Sequence, residues 1–403
     1  MPRDSSHPLV AVILDAARPY DRLIISGVAR YAHERGSWSL YVEEDPLQKL
    51  PDLARWHGHG IIANFDDRRV ARAIRGLSIP IVGVGGGYGW HDPASGIPYV
   101  YTDNAAIGRL GAEHLLACGF DSLAFYGYPR TATSGWSEER AKAFKETAKS
   151  FGRPCRAFTG RHATARRWED LQRELCGWIA SLPKPVGVMA CNDVRARHVL
   201  EACRSLGLRV PHDVAVLGVD NDEMICELTD PPLSSIDQAA RRIGYEAAAA
   251  LDRRMRLTAS QWRAARSRPA APTVIPPIGV VARMSTDTMA TRDEVVLLAV
   301  QRLRAKPWSK PDAALIAKEA CVSRSTLEHR FRAVVGRSIH DEFVRLRVAG
   351  LRRLVAETDL PLKSIASRTG FPSVQYMTTF LRRHTGLTPA RLRAVERGAA
   401  ERL

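Results

Sequence analysis

The chain has 403 residues, room for two or three globular domains. Its 45% hydrophobic and 25% charged residues match ordinary globular proteins and exclude disordered and fibrous classes. No run of 18 apolar residues offers a transmembrane helix, so no membrane partner is expected. Seven cysteines (118, 155, 176, 191, 203, 226 and 321) form no Cys-x-x-Cys pair. They read as reduced, mostly buried thiols of a cytoplasmic protein rather than a disulfide frame or a zinc site. Met1–His7 has no apolar core of the kind a secretory signal needs.

The net charge of +16 is unevenly placed. Residues 1–251 carry 30 basic and 30 acidic side chains, residues 252–268 carry six Arg against one Asp, and residues 290–403 carry 22 basic against 11 acidic. A neutral front and a basic rear point to a polyanion-binding module behind something else.

From residue 8 onward, strand and helix signals alternate. Strands are predicted at 9–14, 38–42, 60–63, 80–84, 122–126, 155–159, 186–190 and 214–219. Helices are predicted at 21–35, 104–118, 137–151, 167–181, 193–206 and 238–256. Continuous Val/Ile/Leu runs between amphipathic helices mean parallel sheets covered on both faces. The length favours two lobes over one open sheet. Residues 257–277 read as an extended Arg/Ala/Pro strap, and Thr273–Val281 as a late strand of the first lobe. The domain junction is expected within Met284–Arg292, which gives domains 1–285 and 286–403.

Ligands of open α/β sheets bind at the carboxyl ends of strands. The candidates there are Tyr20 and Arg22, Asp66, Trp136 and Arg140, Asp193 and Arg195, Asp220, and Gln238 at a lobe crossing. Planar Asp, Arg and Gln groups pair with neighbouring hydroxyls, while aromatic faces cover the C–H side of a sugar ring. Their recurrence favours a polyol, although a strand-end acid such as Asp21 or Asp67, or Asn192, can serve as a helix cap alone. No dinucleotide fingerprint, phosphate loop or nucleophile elbow occurs, and His57 and His59 precede their strand as surface residues. No enzyme signature, no catalytic residue, no metal site and no cofactor follow from these residues.

Residues 292–403 read as all helix, with two helix–turn–helix units about 50 residues apart. Asp312–Ala320 leads through a Cys321–Ser323 turn into a helix reaching Val334. Leu362–Thr369 leads through Gly370–Ser373 into a helix reaching His384. In each unit the second helix has an exposed face fit for the major groove.

The front resembles the sugar-sensing core of LacI-type regulators and periplasmic binding proteins. The resemblance is carried by Cys191-Asn-Asp193, Gly218-Val-Asp220, Ser234–Gln238 and Arg140 before Phe144. The rear is similar to the AraC-type DNA-binding domain through Ile316-Ala317, Leu327, Phe331, Gly336, Arg347, Ile365-Ala366, Gly370-Phe371 and Gly386–Pro389. That likeness implies base-facing Ser325, Glu328 and His329 on one helix and Val374, Gln375, Tyr376, Thr378 and Thr379 on the other. Arg324, Arg332, Arg382 and Arg383 would meet phosphates.

The order of sensor before DNA-binding domain, with Tyr20–Arg22, Ala63–Asp67, Asp193–His198 and Gly370–Tyr376, resembles the xylose operon regulator family. The resemblance implies a two-lobed α/β sensor of the periplasmic-binding-protein type followed by an all-α domain with two helix–turn–helix motifs. It further implies D-xylose as effector, a double-stranded DNA operator, a homodimer, and RNA polymerase as partner of an activator. The residues themselves leave open another sugar, or a repressor released by its ligand; a sugar-processing enzyme is the remaining rival.

Overall fold

The computed structural model describes residues 7–43, 56–86, 92–131, 134–162, 164–286, 293–305, 308–357 and 360–393. The chain separates into two compact units, Met1–Asp287 and Thr288–Leu403.

The first unit holds two six-stranded sheets. Its strands are β1 (Leu9–Ile13), β2 (Ser39–Val42), β3 (Gly60–Asn64), β4 (Ile81–Gly85), β5 (Tyr99–Thr102), β6 (Leu123–Tyr126), β7 (Cys155–Phe158), β8 (Val186–Ala190), β9 (Val214–Val219), β10 (Ser234–Asp237), β11 (Thr273–Ile275) and β12 (Gly279–Val281). One sheet runs in the order β11-β5-β4-β3-β1-β2 and is parallel throughout. The other runs β12-β10-β9-β8-β6-β7, parallel except that β12 pairs antiparallel with β10. The helices are α1 (Pro19–Tyr31), α2 (Arg68–Arg75), α3 (Asn104–Ala117), α4 (Gly135–Ser150), α5 (Trp168–Ser181), α6 (Asp193–Ser205), α7 (Glu223–Leu228), α8 (Ala240–Met255) and α9 (Ala259–Arg266).

Strands β1, β3, β4, β8 and β9 are almost wholly buried, as expected of parallel strands covered on both faces. The apolar run over residues 273–281 is the point where sequence and structure part. Its first half joins the first sheet and its second half joins the second, with Pro276-Pro277 between them. Proline cannot donate to a ladder, so the pair marks the place where the chain changes sheets. The strap ahead of it is partly helical: α9 starts with a capping box between Thr258 and Gln261.

Three lobe crossings lie side by side and are hydrogen-bonded to one another. The Asp103 N–H donates to Ile275 O at 2.9 Å, the Ile278 N–H to Asp237 O at 2.9 Å, and Thr102 Oγ1 to Gln238 O at 3.3 Å.

The second unit is helical: α10 (Glu294–Ala305), α11 (Ala313–Glu319), α12 (Arg324–Val335), α13 (Ile339–Glu357), α14 (Leu362–Arg368) and α15 (Val374–Thr385). It has two apolar cores. Leu327, Phe331, Ile339 and Phe343 belong to the first, and Leu351, Val355, Met377 and Leu381 to the second. Helix α13 contributes to both and so joins the two helix–turn–helix units.

Candidate functional site

A cavity of about 360 Å³ opens where the carboxyl ends of both sheets face each other. That is a volume suited to a small ligand. The first lobe lines it with Tyr20, Asp21, Asn64 and Asp66, and the second with Tyr128, Trp136, Arg140, Asn192 and Asp220; Gln238 stands at the crossing.

Arg140 is the centre of the polar lining. It is 3% exposed, with Nε donating to Asn104 Oδ1 (3.0 Å), Nη1 to Cys191 O (2.7 Å) and Nη2 to Gln238 Oε1 (2.8 Å). Its guanidinium carbon lies 4.8 Å from the Trp136 ring centroid. The close approach of α3 and α4 that makes this possible depends on Gly108: a Cβ there would stand 2.4 Å from Arg140 O. Gln238 Nε2 donates to Asp220 Oδ1, so one amide fixes both the cation and the acid.

Opposite, Asp66 accepts from the Gly86 N–H at 2.7 Å and from Tyr99 Oη at 3.2 Å, while Tyr20 Oη donates to Gly85 O at 2.7 Å. Asp21, 1% exposed, accepts from the Asp15 N–H at 3.0 Å and from Asn64 Nδ2 at 3.3 Å. Burial pushes the Asp21 and Asp220 carboxyls up to about 7 each, the nearby Arg140 opposing this at Asp220. Burial and the neighbouring Asp66 carboxylate also hold the Tyr20 phenol well above its ordinary value. Acceptors and donors thus alternate around one hole, with the Trp136 and Tyr128 rings 6.0 Å apart on one side. Such a lining has the hydrogen-bonding groups and the aromatic face that suit a small polyhydroxylated molecule with an apolar face.

In the helical unit, Ser323 and Ser373 cap α12 and α15 by accepting from the Thr326 and Tyr376 N–H groups at 3.0 and 3.1 Å. Gly336 and Gly386 end the two helices with φ of 74° each. Ser325, Glu328, His329, Gln375, Tyr376 and Thr379 are exposed, as are Arg324, Arg332, Arg382 and Arg383; Thr378 is half-buried. Val374 is half-buried against the second core, so packing takes part of its surface. Glu328 Oε1 accepts from Arg324 Nε at 2.8 Å, one turn away on the exposed face.

Residues 9–105 match the XylR N-terminal domain, residues 112–286 a periplasmic binding protein-like domain, and residues 316–394 a helix-turn-helix domain. The chain is 31% identical over 387 residues to the xylose operon regulatory protein of Escherichia coli strain K12, covering 96% of this chain and 97% of that one. The chain belongs to the xylose operon regulatory protein family. The Haemophilus influenzae xylose operon regulatory protein is 31% identical over 385 residues, covering 95% of this chain and 97% of that one. The solved structure of the xylose-binding transcription activator xylR matches 98% of this chain and 99% of its own at 30% identity and a TM-score of 0.70. A CelR–cellobiose complex shares the sensor fold, with a TM-score of 0.54 at 22% identity over 69% of this chain and 84% of that one.

These family members are transcription regulators, and the chain carries their fold: a two-sheet α/β sensor followed by paired helix–turn–helix units. Of the nine expected sugar-site residues, Tyr20, Asp66, Trp136, Arg140, Asp220 and Gln238 line the cavity. Arg22, Asp193 and Arg195 do not, and each is held by other partners. Arg22 Nη2 pairs with Asp222 at 2.8 Å. Asp193 is fully buried, accepting from Ser235 Oγ at 2.6 Å and the Asp222 N–H at 2.9 Å. Arg195 lies over the Tyr126 ring, bonded to its hydroxyl and to Arg161 O. Asp21 and Asn192, for which the sequence leaves open a capping role alone, line the cavity; Asn192 also caps α6 by accepting from the Arg195 N–H. Tyr128 was not among the expected residues; its place two residues beyond β6 was the available signal. Among the described residues no cluster of metal-ligating side chains forms and no helix is long and apolar enough to cross a membrane.

Proposed function

We propose that the cavity is the effector site for D-xylose and that its occupancy controls the binding of α12 and α15 to duplex DNA. The observation that carries this reading is the convergence of Asp66, Arg140, Asp220 and Gln238 with Trp136 on one cavity lined from both lobes, in a chain aligned almost end to end with xylose operon regulatory proteins. Asp21, Asp66 and Asp220 accept from sugar hydroxyls, Asn64, Arg140 and Gln238 supply N–H donors to them, and Trp136 covers a ring face. Binding from both lobes favours their closed arrangement, and DNA affinity shifts only by the difference in sugar affinity between the two states.

On the DNA side, Ser325, Glu328, His329, Val374, Gln375, Tyr376, Thr378 and Thr379 face bases while Arg324, Arg332, Arg382 and Arg383 hold phosphates. The protein works in the cytoplasm as a homodimer on an operator. The solved relative's description as an activator supports activation through RNA polymerase as the output.

Thermal unfolding against D-xylose, L-arabinose, D-ribose, D-glucose and D-allose tests the sensor. A ligand at 100 times its Kd adds about 2.7 kcal/mol to the native state, so xylose raises the melting temperature by several degrees. A shift with another sugar alone replaces the effector, and no shift with any of the five overturns the sugar reading.

A further inference from the structure

The chain leaves the sensor through residues 279–286, and this exit segment is bonded to the strand ends that shape the cavity. β12 pairs with β10, setting Gly279 opposite Asp237 and Val281 opposite Ser235. Arg283 follows. Its backbone N–H donates to Ser234 Oγ at 2.7 Å, its Nη1 to Leu233 O at 3.0 Å and its Nη2 to Asn221 Oδ1 at 2.8 Å. Ser285 and Thr286 are buried: Ser285 Oγ donates to Val216 O at 2.6 Å, and Thr286 Oγ1 lies 2.9 Å from His114 Nε2. Beyond Asp287 the chain enters the helical unit.

Asn221 directly follows the cavity residue Asp220, and both have positive φ, 52° and 121°. Asparagine tolerates the left-handed region, but an aspartate at 121° lies outside the conformations L residues favour. Backbone of this kind persists only where its surroundings hold it. Gln238 Nε2 holds the Asp220 carboxylate from the cavity side, and among the described residues the rest of the corner is held by three contacts. The Asn221 N–H donates to Ser235 Oγ at 3.0 Å, the Asp220 N–H donates to Ile236 O at 3.1 Å, and Arg283 Nη2 donates to Asn221 Oδ1 while its Nη1 donates to Leu233 O. Among the described residues Arg283 has no carboxylate partner, and its Nε is buried without a hydrogen bond. A half-buried guanidinium that serves two neutral acceptors and leaves one donor unmet is a poor static lock. It suits a contact that is made in one state of the corner and broken in another.

We infer that Arg283 is a positioning residue: it ties the Asp220–Asn221 corner of the cavity to the segment leading into the DNA-binding unit, so that filling the cavity resets that segment. This rests on the sugar-cavity reading above.

The test uses the full-length protein and a duplex selected in vitro by the wild type. D-Xylose affinity of the DNA-free protein is measured by calorimetry, and DNA affinity with and without saturating D-xylose by fluorescence anisotropy. Wild type is expected to show a ratio of roughly 5- to 150-fold between the two DNA affinities. In R283A and in N221A the ratio falls to within about twofold of one, while xylose affinity stays within about threefold of wild type. A purely structural role would lower the melting temperature and leave the ratio intact. If R283A fails to fold, R283K serves, since it keeps the charge and removes the two-pronged grip. A wild-type ratio retained in the variants overturns the role of Arg283 alone; a wild type that binds none of the five sugars overturns the sugar reading together with it.

Discussion

Arg22 reaches from the first lobe to Asp222 in the second, Nη2 to Oδ2 at 2.8 Å, while its Nη1 is bound to Ala16 O and Ala17 O. Asp222 in turn caps α7 by accepting from the Met224 N–H at 3.0 Å. An ion pair across the lobes favours the closed arrangement even without ligand. With Arg22 41% exposed, its worth is at most about 1 kcal/mol. Arg22→Ala is therefore expected to weaken sugar binding by up to about fivefold through the closed population alone. Calorimetry reads this, and an unchanged or tighter affinity would count against the latch.

The two cavity acids near pH 7 set a pH dependence. Burial raises Asp21 and Asp220 above their unfolded values, so the stability associated with them is fully present below about pH 3.8 and is lost as pH rises through about 7. Sugar hydroxyls donate best to the ionised form. Sugar affinity should therefore rise between pH 6 and 8, about tenfold for each carboxylate that must be ionised. Titration at both values checks the sign, and a falling affinity would mean the protonated acids are the binding form.

On the first recognition helix, Glu328 is engaged by Arg324. If Glu328 accepts from a cytosine N4, Glu328→Ala relaxes selection at one base pair at a cost of ~1–3 kcal/mol against the preferred sequence. Selection from random duplexes by both proteins reports this. An equal loss for every sequence would reduce Glu328 to an organiser of Arg324.

Gly350, inside α13, looks from helix propensity like a liability of about 1 kcal/mol against Ala. The fold gives it a purpose: a Cβ there would stand 2.7 Å from the Trp308 ring. Gly350→Ala should consequently destabilise the protein, by ~1–3 kcal/mol as an overpacked site. Denaturant melts would show it, and a stabilised variant would mean that Trp308 moves aside freely.

In the first helix–turn–helix turn Cys321 is left-handed, φ 54°, where the second turn has Gly370 at φ 68°. Left-handed backbone costs a side chain ~1–2 kcal/mol, and the entropy of glycine takes back ~0.5–1. Cys321→Gly is expected to gain ~0.5 kcal/mol of stability, measured in the same melts.

Much of this was legible because parallel sheets announce their binding edge. Once the strands were placed, Tyr20, Asp66, Arg140, Asp220 and Gln238 followed from their positions at strand ends and crossings. Composition could not separate Asp193 from Asp220. Both acids lie at carboxyl ends of neighbouring strands, and only the inward Ser235 hydroxyl and Asp222 amide draw Asp193 away from the cavity. Asn192 shows the converse, since capping a helix and lining a cavity use different faces of one amide. The division of residues 273–281 between two sheets was signalled by Pro276-Pro277, but an apolar run does not say which sheet each half will join.

Helix α13 has 19 residues and is therefore about 28 Å long. With an end in each of the two apolar cores, it acts as a ruler. Because α13 packs in both cores, sites read by α12 and α15 together would share one rotational phase on the duplex. An operator can then tolerate base changes one at a time, yet a short insertion between its two contact regions would turn one of them out of reach. Targets for this regulator are best sought in a genome as two words at a fixed interval, with the interval weighted as heavily as the letters.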